Sequence, residues 1–316
     1  MKDQLTALAR ELGFEACSFA SLAPVYQEGP LHPQAETLSG DIHALMPEAK
    51  CVMLCARPYR PFRIPNGQAH VDAYYLSSNT AHERVQLLAQ RIEDSLHIRA
   101  LASPPVYIKP LAVRSGLGEF GRNGLVSVGP YGTRISIHAI ALDADIETHD
   151  VSEKSLSPKC EACGACLRAC PMNALDGTGR VDITRCLRAQ PEGEAYPEHM
   201  RSALGSSLLG CDLCQRVCPR NAKVTETDMP DDLLSALDLS SLLQGGYKPL
   251  IPFLGKNNAR RQRLTARALL AAANLNRTDL LPLIESLTGC RESEMVREHA
   301  EWALQRLSSD RQGETP

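Results

Sequence analysis

Aromatic residues make up only 4% of this 316-residue chain, and Trp302 is its single tryptophan. A core of Leu, Ala, Val and Ile in many helices is therefore expected. No apolar run approaches the roughly 20 residues that cross a bilayer as a helix, which excludes an α-helical membrane protein. Net charge is also scarce. Against 37 Asp and Glu stand 34 Lys and Arg, leaving −3, which excludes a strongly basic coat but not a local basic patch. The opening MKDQLTALARELG has no apolar signal core, so a cytoplasmic protein with reduced thiols is expected. The length suggests two or three domains. A composition of 43% hydrophobic and 22% charged residues is ordinary for a soluble globular protein.

Cysteine is plentiful. Of twelve, eight fall between residues 160 and 218 in two groups. The first is Cys160-x2-Cys163-x2-Cys166-x3-Cys170-Pro171. The second is Cys186, then Cys211-x2-Cys214-x3-Cys218-Pro219. A 4Fe–4S cube needs four thiolates, and a tight Cys-x2-Cys-x2-Cys loop wraps three corners. The fourth cysteine, before a proline, is carried off to the other cluster. Cys160, Cys163, Cys166 and Cys218 are thus expected on one cluster, and Cys170, Cys186, Cys211 and Cys214 on the second. Zinc ribbons pair Cys-x2-Cys units across longer loops, and disulfides need an oxidising compartment. Cys17, Cys51, Cys55 and Cys290 lie among apolar neighbours and read as buried, inert thiols.

Leu5, Leu8, Ala9 and Leu12 share a face at helical spacing over 2–12, and Gly13 ends that helix. FEACSF alternates as a half-buried strand. KCVMLCA (50–56) is a continuous apolar run, as in a central strand covered on both faces. Ala81, Val85, Leu88, Ala89, Ile92 and Leu96 predict a helix near 80–97. After Pro104-Pro105, VYIK reads as a short strand, and 134–142 as a longer one with Ile135 and Ile137 on one face. Glycines at 116, 118, 121, 124, 129 and 132 are too dense for helix or plain strand. They allow either a cradle for a bulky ligand, gripped by Arg114, Arg122, Asn123 and Arg134, or a set of tight turns. Residues 264–275 and 294–307 carry helical stripes on either side of a helix containing Pro282, like a helical repeat pair. Arg260, Arg261, Arg263 and Arg267 form a basic cluster, read as a solvated face or as a phosphate contact.

The cysteine pattern, AVRSGLGEFGRNGL and the end MVREHAEWALQRL together resemble epoxyqueuosine reductases, a likeness that starts at LMPEAKCVMLCARPY and covers nearly the whole chain. GLGEFGRNGL…YGTRISIHAIALDADI is also similar to cobalamin-dependent reductive dehalogenases, which lack the helical tail. The resemblance implies an α/β (α+β) cobalamin-binding domain at 1–150 and a two-cluster ferredoxin-like domain at 151–228. An all-α HEAT-like region at 229–316 would follow. It implies that the corrin sits base-off between the first two domains, with one cluster near cobalt. Its contacts are carried over to Arg114, Gly118, Arg122, Asn123, Tyr131 and Thr133. The implied activity is reduction of epoxyqueuosine to queuosine in tRNA, the last step of queuosine biosynthesis. The implied partners are a flavodoxin- or ferredoxin-type single-electron donor and tRNA, with no membrane, for a monomer.

The chain departs from the family's pattern in one place. The family's proton-donor aspartate, in a motif like Asp-Thr-x-Pro, faces Pro105–Pro110 here, and no Asp or Glu lies between Ser95 and Gly118. The Asp-Tyr-His triplet appears only as Thr80-Ala81-His82. Trp-Ile-Gly-Lys becomes Glu119-Phe120-Gly121-Arg122. Such acid assistance is typically worth ~10²–10⁴-fold. Tyr74, Tyr75, Tyr107 and Lys109 are candidate replacements, with Tyr75 first, beside a plain packing role for each. Glu119 is a further acid, expected in solvent. Two other functions stay open: a dehalogenase-like reductase of a small molecule, and an iron–sulfur electron carrier with no substrate of its own.

Overall fold

The computed structural model describes residues 1–23, 42–148, 150, 156–190, 193–289 and 291–312. Cys290 lies outside them. The chain forms two compact units, each discontinuous in sequence. The first comprises 1–60, 77–183 and 213–225, and the second 61–76, 184–212 and 226–316.

The first unit is built on a four-stranded antiparallel sheet. Its strands are β1 (Ala16–Ser21), β2 (Cys51–Pro58), β3 (Ala100–Ala102) and β4 (Ile135–Leu142), in spatial order β1-β2-β4-β3. The continuous apolar run of β2 has a direct cause, since both faces of the strand are covered. Cys51, Met53 and Cys55 point into a core with Leu5, Phe14, Val85, Leu88 and Ile92. Val52, Leu54 and Ala56 point into another with Leu111, Val113, Val126 and Ile135. Met53 is fully buried, and truncating such a side chain to Ala costs about 2–5 kcal/mol.

The helices Lys2–Glu11 and Ala73–Leu96 form as the stripes predict. The second begins earlier than expected, because its first turns, AYYLSSN, carry no apolar stripe. VYIK is not a strand. Ile108 starts the helix Ile108–Arg114, and Pro110 is tolerated in its first turn, where the missing N–H would have no helical acceptor. The strand of this region is β3, just before Pro104.

In the second unit His70–Val71 pairs in parallel with Ser207–Leu209. The helix Arg261–Asn274 is buried from Leu264 through Ala273, and its alanines let neighbouring elements approach closely. The helices Leu239–Leu243 and Glu294–Gln312 pack against it. Among the described residues after 230 there are helices and no strand. No described helix is long and apolar enough to cross a membrane.

Candidate cofactor site

Cys160 closes a 3-10 turn, Pro158–Cys160, and the next loop returns Cys163 N–H to Cys160 O at 3.2 Å. Gly164, with φ +60°, turns the chain into the helix Ala165–Ala169, which carries Cys166. Cys218 follows the helix Leu213–Arg216 and opens the turn Pro219–Asn221. Three thiols of one tight loop and a fourth from 52 residues further on thereby line one cavity of about 340 Å³ in the first unit: Cys160, Cys163, Cys166 and Cys218. Burial, and behind it the charge of neighbouring thiols, pushes the Cys166 and Cys218 thiols up. Metal binding there requires displacing the thiol protons. Among the described residues no three His, Cys, Asp or Glu side chains converge as they would on one ion. A single ion gathers thiolates about 2.3 Å from one point, whereas a cube spreads them over four corners. Of the other four cysteines, Cys170 and Cys214 belong to the first unit and Cys186 and Cys211 to the second.

The same cavity is lined by Arg122, Asn123, Ser127 and Thr133 of the glycine-rich block, and by Lys159, Arg220 and Lys223. Ser127 is 1% exposed and its Oγ has no hydrogen-bond partner among the described residues. That unclaimed polar atom and the cationic side chains leave polar contacts in the cavity open to a bound group. Three of the expected contacts lie outside this lining. Arg114 is buried and donates to Ser21 O at 2.6 Å and Ala23 O at 2.8 Å. Tyr131 packs on the core beneath the sheet. Gly118 stands where a Cβ would come 2.5 Å from Ser127 O.

Arg134, read as a possible ligand grip, is instead buried and donates to Gln215 Oε1 at 2.9 Å. Gln215 in turn donates to Thr133 O at 3.0 Å and accepts from the Tyr59 hydroxyl at 3.1 Å. Gly132 has φ +57°, and a Cβ there would meet Asn221 Oδ1 at 2.1 Å. At Gly118 and Gly132 the missing side chain thus makes room for the protein's own backbone and the cysteine turn.

Glu119 pairs with Arg220 at 2.9 Å, and the nearness of Ser157, then this pairing, holds its carboxyl below the usual range. That favours a carboxylate over a proton donor. Lys109 Nζ donates to Gly124 O at 3.1 Å, and Tyr107 precedes the helix Ile108–Arg114. Tyr75 lies in the second unit, edge-on to Tyr74 and under the Arg188 guanidinium at 5.2 Å. Burial raises its hydroxyl, against the lowering by Arg188 and Arg263. Beside it is an acid that the sequence did not single out. Asp72 is 3% exposed, accepts from Tyr74 N–H at 3.0 Å and meets Arg188 at 3.4 Å. A lone aspartate in HVDAYY carries no motif.

Residues 159–221 match the family described as a 4Fe-4S double cluster binding domain. The chain is similar to an epoxyqueuosine reductase of Pseudomonas aeruginosa, with 33% identity over 256 residues, 76% of this chain and 70% of that protein. It spans 60% of a Staphylococcus aureus relative of the same name, at 28% identity over 70% of this chain. Its fold is similar to epoxyqueuosine reductase from Bacillus subtilis, with a TM-score of 0.79 and 21% identity. That match covers 97% of this chain and 90% of the other. An epoxyqueuosine reductase solved with an epoxyqueuosine-modified tRNA-Tyr stem loop gives a TM-score of 0.75 at 20% identity, over 97% and 90% of the two chains.

Proposed function

The chain belongs to the epoxyqueuosine reductase family, a family of oxidoreductases, and from that premise we propose that it reduces epoxyqueuosine to queuosine in tRNA. One observation carries this reading. The thiols of Cys160, Cys163, Cys166 and Cys218 share a cavity wall with Arg122, Asn123, Ser127 and Thr133. Sites for electron delivery and for a polar cofactor thus open on one space. Two 4Fe–4S clusters supply single-electron transfer. Cys160, Cys163, Cys166 and Cys218 hold one, and Cys170, Cys186, Cys211 and Cys214 the other. Cobalamin supplies two-electron reducing power at cobalt. Arg122, Asn123 and Thr133 would hold it, on a loop shaped by Arg114, Gly118 and Tyr131.

Tyr75, half-buried beside Tyr74 and Arg188, is the proposed proton donor. A flavodoxin- or ferredoxin-type protein supplies electrons in the cytoplasm, and the chain works as a monomer. The helices after 230 form a HEAT-like region, supported by the packing of Arg261–Asn274 against Glu294–Gln312. Exposed Arg260 and Arg261 near its start offer charge to tRNA phosphate.

A second reading, an iron–sulfur electron carrier with no substrate, is favoured by the lack of any Asp or Glu between Ser95 and Gly118. Anaerobic reconstitution, titration with cobalamin and incubation with epoxyqueuosine tRNA separate the two. Corrin binding with conversion to queuosine supports the reductase. Clusters that load while cobalamin stays unbound leave the carrier. Cobalamin binding without conversion, cured by Lys109→Asp, would place the defect in the proton donor and reject Tyr75.

A further inference from the structure

Two cysteines outside the cluster motif meet across the sheet. In the register of β1 and β2, Cys17 stands directly opposite Cys55. Both side chains reach the same core face, and their sulfurs are 3.9 Å apart. Directly opposed residues of an antiparallel pair hold their Cα atoms about 4.5 or 5.5 Å apart. A disulfide needs roughly 4.4–6.8 Å. The register meets that requirement, and closing the bond means bringing the sulfurs from 3.9 Å to about 2.05 Å.

The two thiols differ in a useful way. Cys17 is half-buried on the edge strand and Cys55 fully buried on the neighbouring one. Contact with Cys55, then Arg10, lowers the Cys17 thiol, while the same contact and burial raise Cys55. The sulfur that a small disulfide can reach is the attacking partner in thiol exchange, and of the two that is Cys17. Cys51, on the same face of β2, is the contrast. It sits opposite Ser21 and Leu142, and its sulfur turns to Ala144 O at 3.5 Å.

We propose that Cys17 and Cys55 are an oxidisable dithiol that closes to a cross-strand disulfide when the protein meets a low-molecular-weight disulfide. The Cys17 thiolate attacks one sulfur of the small disulfide and expels a thiolate, leaving a mixed disulfide on Cys17. Cys55 gives up its proton, attacks the Cys17 sulfur and expels the second small thiolate. Two protein thiols are oxidised and one small disulfide is reduced to two thiols. Excess dithiol reverses the sequence.

The test uses cluster-loaded, anaerobic protein in buffers of increasing glutathione disulfide, with cluster absorbance followed throughout. Samples are quenched in acid, alkylated after denaturation and read by peptide mass spectrometry. Alkylation of Cys17 and Cys55 is expected to fall together as a Cys17–Cys55 linked peptide appears. Cys51 should stay alkylated, cluster absorbance should hold, and dithiothreitol should restore both thiols. Cys55→Ser should trap glutathione on Cys17, and Cys17→Ser should leave Cys55 unmodified. Three results overturn the proposal: stable glutathione on wild-type Cys17 with Cys55 free, no modification of either at the most oxidising ratio, or linkage only in protein that has lost iron.

Discussion

Asn221 holds Thr133 through both ends of its amide. Its Oδ1 accepts from Thr133 N–H at 2.8 Å and from the Thr133 hydroxyl at 3.3 Å, and its Nδ2 donates to that hydroxyl at 3.0 Å. Nδ2 also donates to Gln215 O at 2.8 Å. Asn221 ends the turn that begins after Cys218, so one amide ties the turn at Cys218 to the glycine-rich block within the first unit.

Asn221→Ala should therefore loosen the metal site as well as the fold. It leaves Thr133 N–H and Gln215 O buried without this partner, and each such loss costs about 1–3 kcal/mol. A lower melting temperature and faster iron release to a chelator are expected. Gly132→Ala should act in the same direction, because its Cβ would meet Asn221 Oδ1 at 2.1 Å from a φ of +57°. Iron release at the wild-type rate in both variants would show that this tie does not support the cluster.

Replacing Cys160 or Cys218 by Ser should remove about half of the bound iron, because each lies in the same set of four. Cys17→Ser and Cys51→Ser should keep the full complement. Iron and sulfide assays with low-temperature EPR of the reduced protein decide this. Full iron in Cys218→Ser would break the assignment of Cys218 to the first set.

One buried and one half-buried histidine, His299 and His138, should make stability fall in mild acid. Burial, then the charges of Arg201 and Arg267, pushes His299 down to about 3. Burial, then His82 and Arg57, pushes His138 down to about 4. Below an ordinary histidine pKa of about 6.5 the unfolded chain binds protons that the folded chain refuses, so stability declines from that pH downward. The loss tends toward a few kcal/mol for each, on the order of 3, once the folded value is reached. His299 Nε2 accepts the Tyr196 N–H at 2.9 Å, a bond the protonated ring cannot make. Urea titrations from pH 7 to 5 should give a shallower slope in His299→Gln than in the wild type. Equal slopes would mean that His299 titrates normally.

Reversing Arg260, Arg261 and Arg263 to Glu should weaken tRNA binding and lower its dependence on salt. Each arginine that touches phosphate contributes a slope of about 1 in log affinity against log salt. The structure narrows the basic cluster, since Arg267 is 4% exposed and donates to Ser207 O at 2.7 Å. Arg261 meets Glu292 at 3.0 Å, an ion pair that a phosphate contact would have to replace. Unchanged affinity and slope in a filter-binding series would remove this face from the tRNA contact.

The sequence by itself determined what is local or strictly periodic. The Cys-x2-Cys-x2-Cys loop and the Cys-Pro turns are chemical spacings. The central strand Cys51–Pro58 shows as an apolar run because both its faces are covered. The helices Lys2–Glu11 and Arg261–Asn274 carry their stripes openly. VYIK misled because four apolar-leaning residues are too few to separate period 2 from period 3.6. Only the tertiary structure decided the partners. It turned Arg114 and Arg134 inward, set Cys17 against Cys55, spent Gly132 on Asn221, and buried Asp72 beside Arg188. Each of these is a contact between residues distant in the chain, where packing and hydrogen-bond satisfaction choose the neighbour and residue type alone does not.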